Sequence, residues 1–172
     1  MTNAPSTRPM RAPAYVLAPD EIRRNPSVWP ATKADSTDTA GLLGVFVDTL
    51  QPWQSGPPLH VHPNQDEAFY VLEGTLVVRL GDEQREVSSG SFVWIPRGTP
   101  HAFANASGTP TRLLGLATPG GIEQFFAEQG AYLVQLQGAS PDLAVLGSIG
   151  ARYGSQLLGP RIEVAAPCAP QP

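Results

Sequence analysis

The sequence is poorest in the residues that build covalent cross-links. Its 172 residues include one cysteine, Cys168 in the tail AAPCAPQP, which excludes a disulfide framework and a thiolate metal site within the chain. Basic residues are in the minority, with 11 Lys and Arg against 15 Asp and Glu and a formal charge of −4. That balance leaves no cationic footprint for nucleic acid, and neither a basic cluster nor a helix-turn-helix pattern is visible. No apolar run approaches the roughly 18 residues of a membrane helix. The opening MTNAPSTRPMRAPAY has no apolar secretion segment. A reducing, cytoplasmic setting and a small-molecule partner, with no nucleic acid and no membrane, are expected.

Histidine is also scarce, and its distribution is the strongest signal in the chain. All three histidines fall between Gly56 and Asn105, in the segments GPPLHVHPNQDEAFYVLEG and GSFVWIPRGTPHAFAN. Residues two apart on a strand share a face, so His60 and His62 can converge on one ion. Pro63, Asn64 and Gln65 have turn chemistry that resets the strand register and lets Glu67 join them. Asp66 is the competing carboxylate, but alternation places it on the opposite face from Glu67. His101 follows the breaker PRGTP and must arrive by tertiary folding as the fourth ligand. Imidazole and carboxylate without thiolate suit Fe, Mn, Co, Ni, Cu or Zn, and the donor set does not choose among them.

These residues resemble the cupin family, whose motifs are written GxxxxxHxHxxxxExxxxxxG and GxxxxxPxGxxHxxxN. The first matches at His60, His62, Glu67 and Gly74, and the second at Gly90, Pro96, Gly98, His101 and Asn105. One position departs, because Gln54 stands where the family has its leading glycine and Gly56 lies two residues further on. The resemblance implies an all-β fold, a double-stranded jelly-roll barrel. A single copy of the motif pair implies one barrel, and dimerisation is expected of the family, with Phe92 and Trp94 as candidate contact residues.

Along the chain, residues 1–35 read as a flexible leader and an N-terminal arm lying across the outside of the barrel, with Trp29 as an anchor. The barrel is expected over 36–118, with residues 41–50 (GLLGVFVDTL) as its first firm strand. A two-residue hairpin loop is expected at Gly81 and Asp82. Residues 119–160 should form a helical extension and 161–172 a tail. Ile122, Phe125, Phe126 and Gln129 share one helical face, with Gly130 as the stop. A second helix should start with Ser140 as N-cap and Pro141 as its first residue, and end at Gly154. The first of these helices either packs on the barrel exterior or forms a lid over its mouth.

Beyond the metal motifs, the segments SGPPLHVHPNQDEAFYVLEG, IPRGTPHAFAN, LLGLATPGGIEQFF and ARYGSQLLGP are similar to the single-domain cupins related to bacterial quercetinase, the flavonol 2,3-dioxygenase. That resemblance implies one divalent transition metal ion and cleavage of a flavonol-like or other enolisable aromatic substrate with O2. Glu67 would be the catalytic proton acceptor, and Phe46, Phe69, Val71, Phe103 and Phe125 the candidate pocket wall. Core packing is the competing reading of those aromatic residues. A non-oxidative isomerase, cyclase or lyase using the ion as a Lewis acid remains open, as does a binding protein without catalysis.

Overall fold

Alternation of side chains decides where the strands lie and which way they face. In TRLLGLAT every second residue is buried, and in GVFVDTL the buried positions are Gly44, Phe46, Asp48 and Leu50. Such strands must close their apolar faces against one another. The computed structural model describes residues 12–19, 21–23 and 30–166. Residues 1–11, Trp29 and the tail from 167, with Cys168, lie outside the described residues.

The elements in chain order are β1 (Ala31–Ala34), α1 (Ser36–Thr39), β2 (Gly44–Leu50), β3 (Gln54–Ser55), β4 (His60–Val61), β5 (Asp66–Glu73) and β6 (Thr75–Leu80). They continue with β7 (Glu83–Ser88), β8 (Phe92–Ile95), β9 (His101–Asn105), β10 (Thr111–Thr118), α2 (Ile122–Gln135), α3 (Leu143–Arg152) and β11 (Gln156–Leu157). One sheet runs β1-β2-β10-β5-β8 and the other β11-β4-β9-β6-β7, with β3 paired to β9. The pairings are antiparallel, and the two sheets form a double-stranded jelly roll. Gly81 and Asp82 make the two-residue turn between β6 and β7. Leu50, Leu76 and Leu113 are fully enclosed between the sheets, each worth about 1.5–3 kcal/mol of burial.

The sheet begins earlier than expected, since β1 pairs with β2 ahead of residue 41. Asp35 caps α1 by accepting from the backbone N–H groups of Thr37 and Asp38, and the Asp38 side chain accepts from the Asp35 N–H. The described part of the arm is tied to this corner. Tyr15 donates to the Lys33 carbonyl at 2.8 Å, and the Arg23 guanidinium lies over the Tyr15 ring and pairs with Asp38.

Both helices differ from their expected limits. Gly130 does not stop α2, which continues to Gln135. A helical glycine costs about 1 kcal/mol against alanine, less than the packing of Phe125 and Phe126 on the core can return. The chain leaves the helical conformation at Gln137 and Gly138, both at positive φ. The second helix, α3, is capped by Asp142 rather than Ser140, its carboxylate accepting from the Ala144 N–H at 2.7 Å. Pro141 therefore precedes the helix. Among the described residues, no helix is long and apolar enough to cross a membrane.

Candidate metal centre

Three separate strands deliver the four side chains that the motifs bring together. His60 stands on β4 opposite His101 on β9. His62 follows on the same face, and after the turn at Pro63 and Asn64 the chain enters β5 with Glu67 facing inward. His60, His62, Glu67 and His101 are all buried, and their ligand atoms lie within 4.8 Å of one another. Asp66 points the other way and is held by Arg97, whose backbone N–H and guanidinium donate to it at 2.7–3.0 Å. Those hydrogen bonds lower the Asp66 carboxyl to about 2.

Backbone carbonyls orient two of the rings. Nδ1–H of His60 donates to the Pro58 carbonyl at 2.8 Å, and Nδ1–H of His101 donates to the Thr99 carbonyl at 3.0 Å. A neutral ring arranged this way carries its lone pair on Nε2 and turns it into the cluster. Nε2 of His101 then stands 2.8 Å from Oε2 of Glu67 without the direction of a hydrogen bond, while Nε2 of His62 lies 3.7 Å from the same oxygen. A lone pair facing a carboxylate oxygen at that distance, buried, is repulsive unless a proton or a metal ion lies between them. The donor set fits a divalent transition metal ion, and the cluster is one that can hold it.

Electrostatics agree with the geometry. Burial, followed by the neighbouring His101 and His62, pushes His60 down to about 3. Burial also lowers His62, against the opposing pull of Glu67. Burial alone would raise the Glu67 carboxyl, but the histidines, His101 foremost, outweigh it and hold Glu67 below its ordinary value. His101 is raised because the Glu67 carboxylate outweighs the opposing effect of burial. Two neutral imidazoles and an ionised carboxylate are therefore available at neutral pH without prior proton loss.

The cluster opens into a cavity of about 70 Å³ whose mouth continues into open solvent. Phe46, Phe69 and Phe103 supply its strand wall, and Phe125 and Phe126 of α2 form a roof with Leu146 of α3. The rings interlock edge to face, Phe69 with Phe103 at 5.1 Å and Phe46 with Phe126 at 5.0 Å between centroids. Helix α2 thus lies over the cavity. Val71, expected in this wall, is absent from it. It is two residues beyond Phe69 on β5, and its side chain is fully enclosed in the core. Trp53 also stands apart from the lining, its backbone N–H bonded to the Ser107 carbonyl.

The motif departure at Gln54 has a local explanation. A Cβ placed on Gly56 would lie 2.2 Å from the Phe103 carbonyl oxygen, so the close approach of this loop to β9 rests on Gly56. Gln54 turns its side chain back to accept from the Gln51 N–H. Asn105 has a structural role: its amide donates to the carbonyls of Gln51 and Thr109, and its oxygen accepts from Ser107. Asp48 is among the cavity residues that were not anticipated, and its signal was an acidic side chain at an inward position of an alternating strand.

An antiparallel jelly roll enclosing three histidines and one glutamate defines a barrel of the metal-binding type, and this chain contains a cupin domain. The cupin domain family matches residues 46–116. Quercetin 2,3-dioxygenase of Bacillus subtilis is 36% identical over 70 residues, which cover 41% of this chain and 20% of that protein. An uncharacterized protein of Methanocaldococcus jannaschii is 32% identical over 79 residues, 46% of this chain and 63% of that one. The chain thus spans less than two thirds of the length of these relatives. Among solved structures, an uncharacterized protein with a double-stranded β-helix domain from Klebsiella pneumoniae superposes with a TM-score of 0.51 at 20% identity, covering 63% of this chain and 92% of that one. Likeness at that level speaks for the fold alone.

Proposed function

We propose that this chain is a metal-dependent dioxygenase of the quercetinase-like cupin type, cleaving a flavonol-like or other enolisable aromatic substrate with O2. The observation that carries this reading is a buried set of three histidines and one glutamate opening onto an aromatic-walled cavity. The partial identity to quercetin 2,3-dioxygenase supports it. His60, His62, Glu67 and His101 would hold one divalent transition metal ion. When bound, such an ion lowers the pKa of an enol or phenol at an open position and makes the oxyanion electron-rich enough to react with O2.

The chain's own residues do the rest. Glu67 would accept the substrate's hydroxyl proton, its buried carboxylate being ionised and facing the cavity. Pro58 and Thr99 keep the His60 and His101 rings aimed at the centre. Phe69 and Phe103 present ring edges and faces to a planar substrate, and the Phe125–Phe126 roof keeps bulk water from it. Outside the cavity, Phe92 and Trp94 stand exposed on β8 beside Tyr70 of β5. These residues form the proposed homodimer contact, which a monomer in sedimentation at micromolar concentration would refute.

The test is loss of quercetin's visible absorbance by protein reloaded separately with Ni, Co, Mn, Fe and Cu, in air and under argon. Bleaching in air alone is the expected result and identifies the working metal. Bleaching that is equal under argon gives the site to an oxygen-independent reaction, and none with any loaded metal removes the flavonol substrate. Glu67→Gln should retain most of its metal and lose turnover by about 100-fold or more. An unchanged rate removes Glu67 as the base.

A further inference from the structure

The barrel interior contains a carboxylate that the proposed chemistry does not use. Asp48 is only 2% exposed and occupies an inward position of β2 between Phe46 and Leu50. An apolar side chain would fill that position without the cost of burying a charge. The structural register shows what Asp48 is placed to do. Glu67 pairs with Ala117 of β10, whereas Asp48 pairs with Leu113 of the same strand. Those partners are four residues apart, about 13 Å along a strand, and the row between them holds Phe46 and Phe69 on either side of Gly115. Asp48, the two phenylalanines and three of the four proposed ligands, His60, His62 and Glu67, line one cavity. The cavity is therefore polar at both ends and aromatic in the middle.

From this arrangement we infer that Asp48 is a substrate-binding residue: its carboxylate accepts a hydrogen bond from a hydroxyl on the part of an aromatic substrate farthest from the metal centre. This rests on the reading of the site as one for enolisable aromatics and narrows it to substrates oxygenated at both ends. A carboxylate has about four acceptor positions, so a protein partner leaves room for a ligand donor. An ionised acceptor that is itself buried also favours a hydroxyl over its absence more strongly than a neutral group does.

The inference is tested by binding without turnover. Zinc-loaded protein, which has no redox chemistry of its own, is titrated under argon with quercetin and with 3-hydroxyflavone, which keeps the enol but lacks the other hydroxyls. Wild type should bind quercetin about 10- to 100-fold more tightly. In Asp48→Asn that ratio should shrink, and in Asp48→Leu it should approach one, with zinc content held at one per chain. A ratio that persists in both variants overturns the role of Asp48, as does an equal loss of affinity for both ligands, which marks a structural residue. If Asp48→Leu does not fold, the isosteric Asp48→Asn decides alone. Wild type that binds neither ligand overturns the enolisable-aromatic reading itself, and this inference falls with it.

Discussion

At the metal end of the cavity His60, Glu67 and His101 are held in strand ladders, the His62 carbonyl accepts from the Gly98 N–H, and two of the rings are also fixed by hydrogen bonds to backbone carbonyls. Over the roof, α2 and α3 rest on ring contacts, on hydrogen bonds from Ser36 to Glu123 and from the Asp142 N–H to the Tyr132 hydroxyl, and on an ion pair between Glu128 and Arg152 at the surface. The first arrangement has little freedom, because moving one ligand disturbs a ladder or strands a buried polar atom. The second can shift by rotamers and small rotations. On the proposed function, chemistry belongs to the rigid end and admission of substrate to the yielding one, the division expected where loops and appended helices control access to a scaffold-held site.

The largest effect should come from breaking the rigid end. His101→Ala removes a ligand and leaves the buried Glu67 carboxylate without its nearest partner. Metal affinity should fall by more than about 100-fold, beyond the loss typical of second-shell changes, as read by metal content after dialysis. Chelation of the wild type should lower its melting temperature, since metal bound only by the folded state stabilises it by mass action. The same chelation should hardly move the melting of His101→Ala. Next in size is Gly56→Ala, whose Cβ would meet the Phe103 carbonyl at 2.2 Å, a backbone atom that has nowhere to yield. A loss of about 3 kcal/mol in chemical denaturation is expected, and an unchanged midpoint would show that the β3–β9 approach is adjustable.

The two regions also differed in how far their sequences could be read. Ligand positions were legible because strand parity is strict: a residue two places on returns to the same face, so His60 and His62 had to converge and Asp66 had to turn away. Parity says nothing about depth along the strand, and for that reason Val71 was assigned to the wall although it lies in the core. Helix limits were less legible because they rest on propensities of about 1 kcal/mol that tertiary packing overrides, as Gly130 within α2 shows. The short edge strands β1 and β11 escaped notice because their pairing depends on partners distant in sequence, Val47 for Ala31 and Val61 for Gln156.

Where strand and helix meet, the comparison can be sharpened. Phe46 belongs to β2 but packs edge-on against Phe126 of α2. A Cβ on Gly115 would lie 2.1 Å from the Phe46 ring. Gly115→Ala should therefore displace that ring and disturb the roof from below, at a cost of about 1–3 kcal/mol, while metal content stays at the wild-type level. Phe126→Ala attacks the same contact from above and should raise KM severalfold with less effect on kcat. An equal fall in kcat would mean that the roof also positions the reacting atoms.

The smallest effect is expected at the surface pair that joins the two helices. Hydrogen bonds from Arg152, and then from Tyr153, hold the Glu128 carboxyl below its ordinary value. A carboxyl depressed in the folded state stabilises that state above the unfolded pKa and loses the contribution as pH falls through the folded one. Glu128 is exposed to solvent, so screening keeps the contribution small. Glu128→Gln should change stability slightly at pH 7, and the difference from wild type should shrink as pH falls through the folded-state pKa. Metal content should not change at pH 7. A loss of metal from Glu128→Gln at pH 7 would mean that the helical roof helps to hold the ligands in place, and the two ends of the cavity would then behave as one cooperative unit.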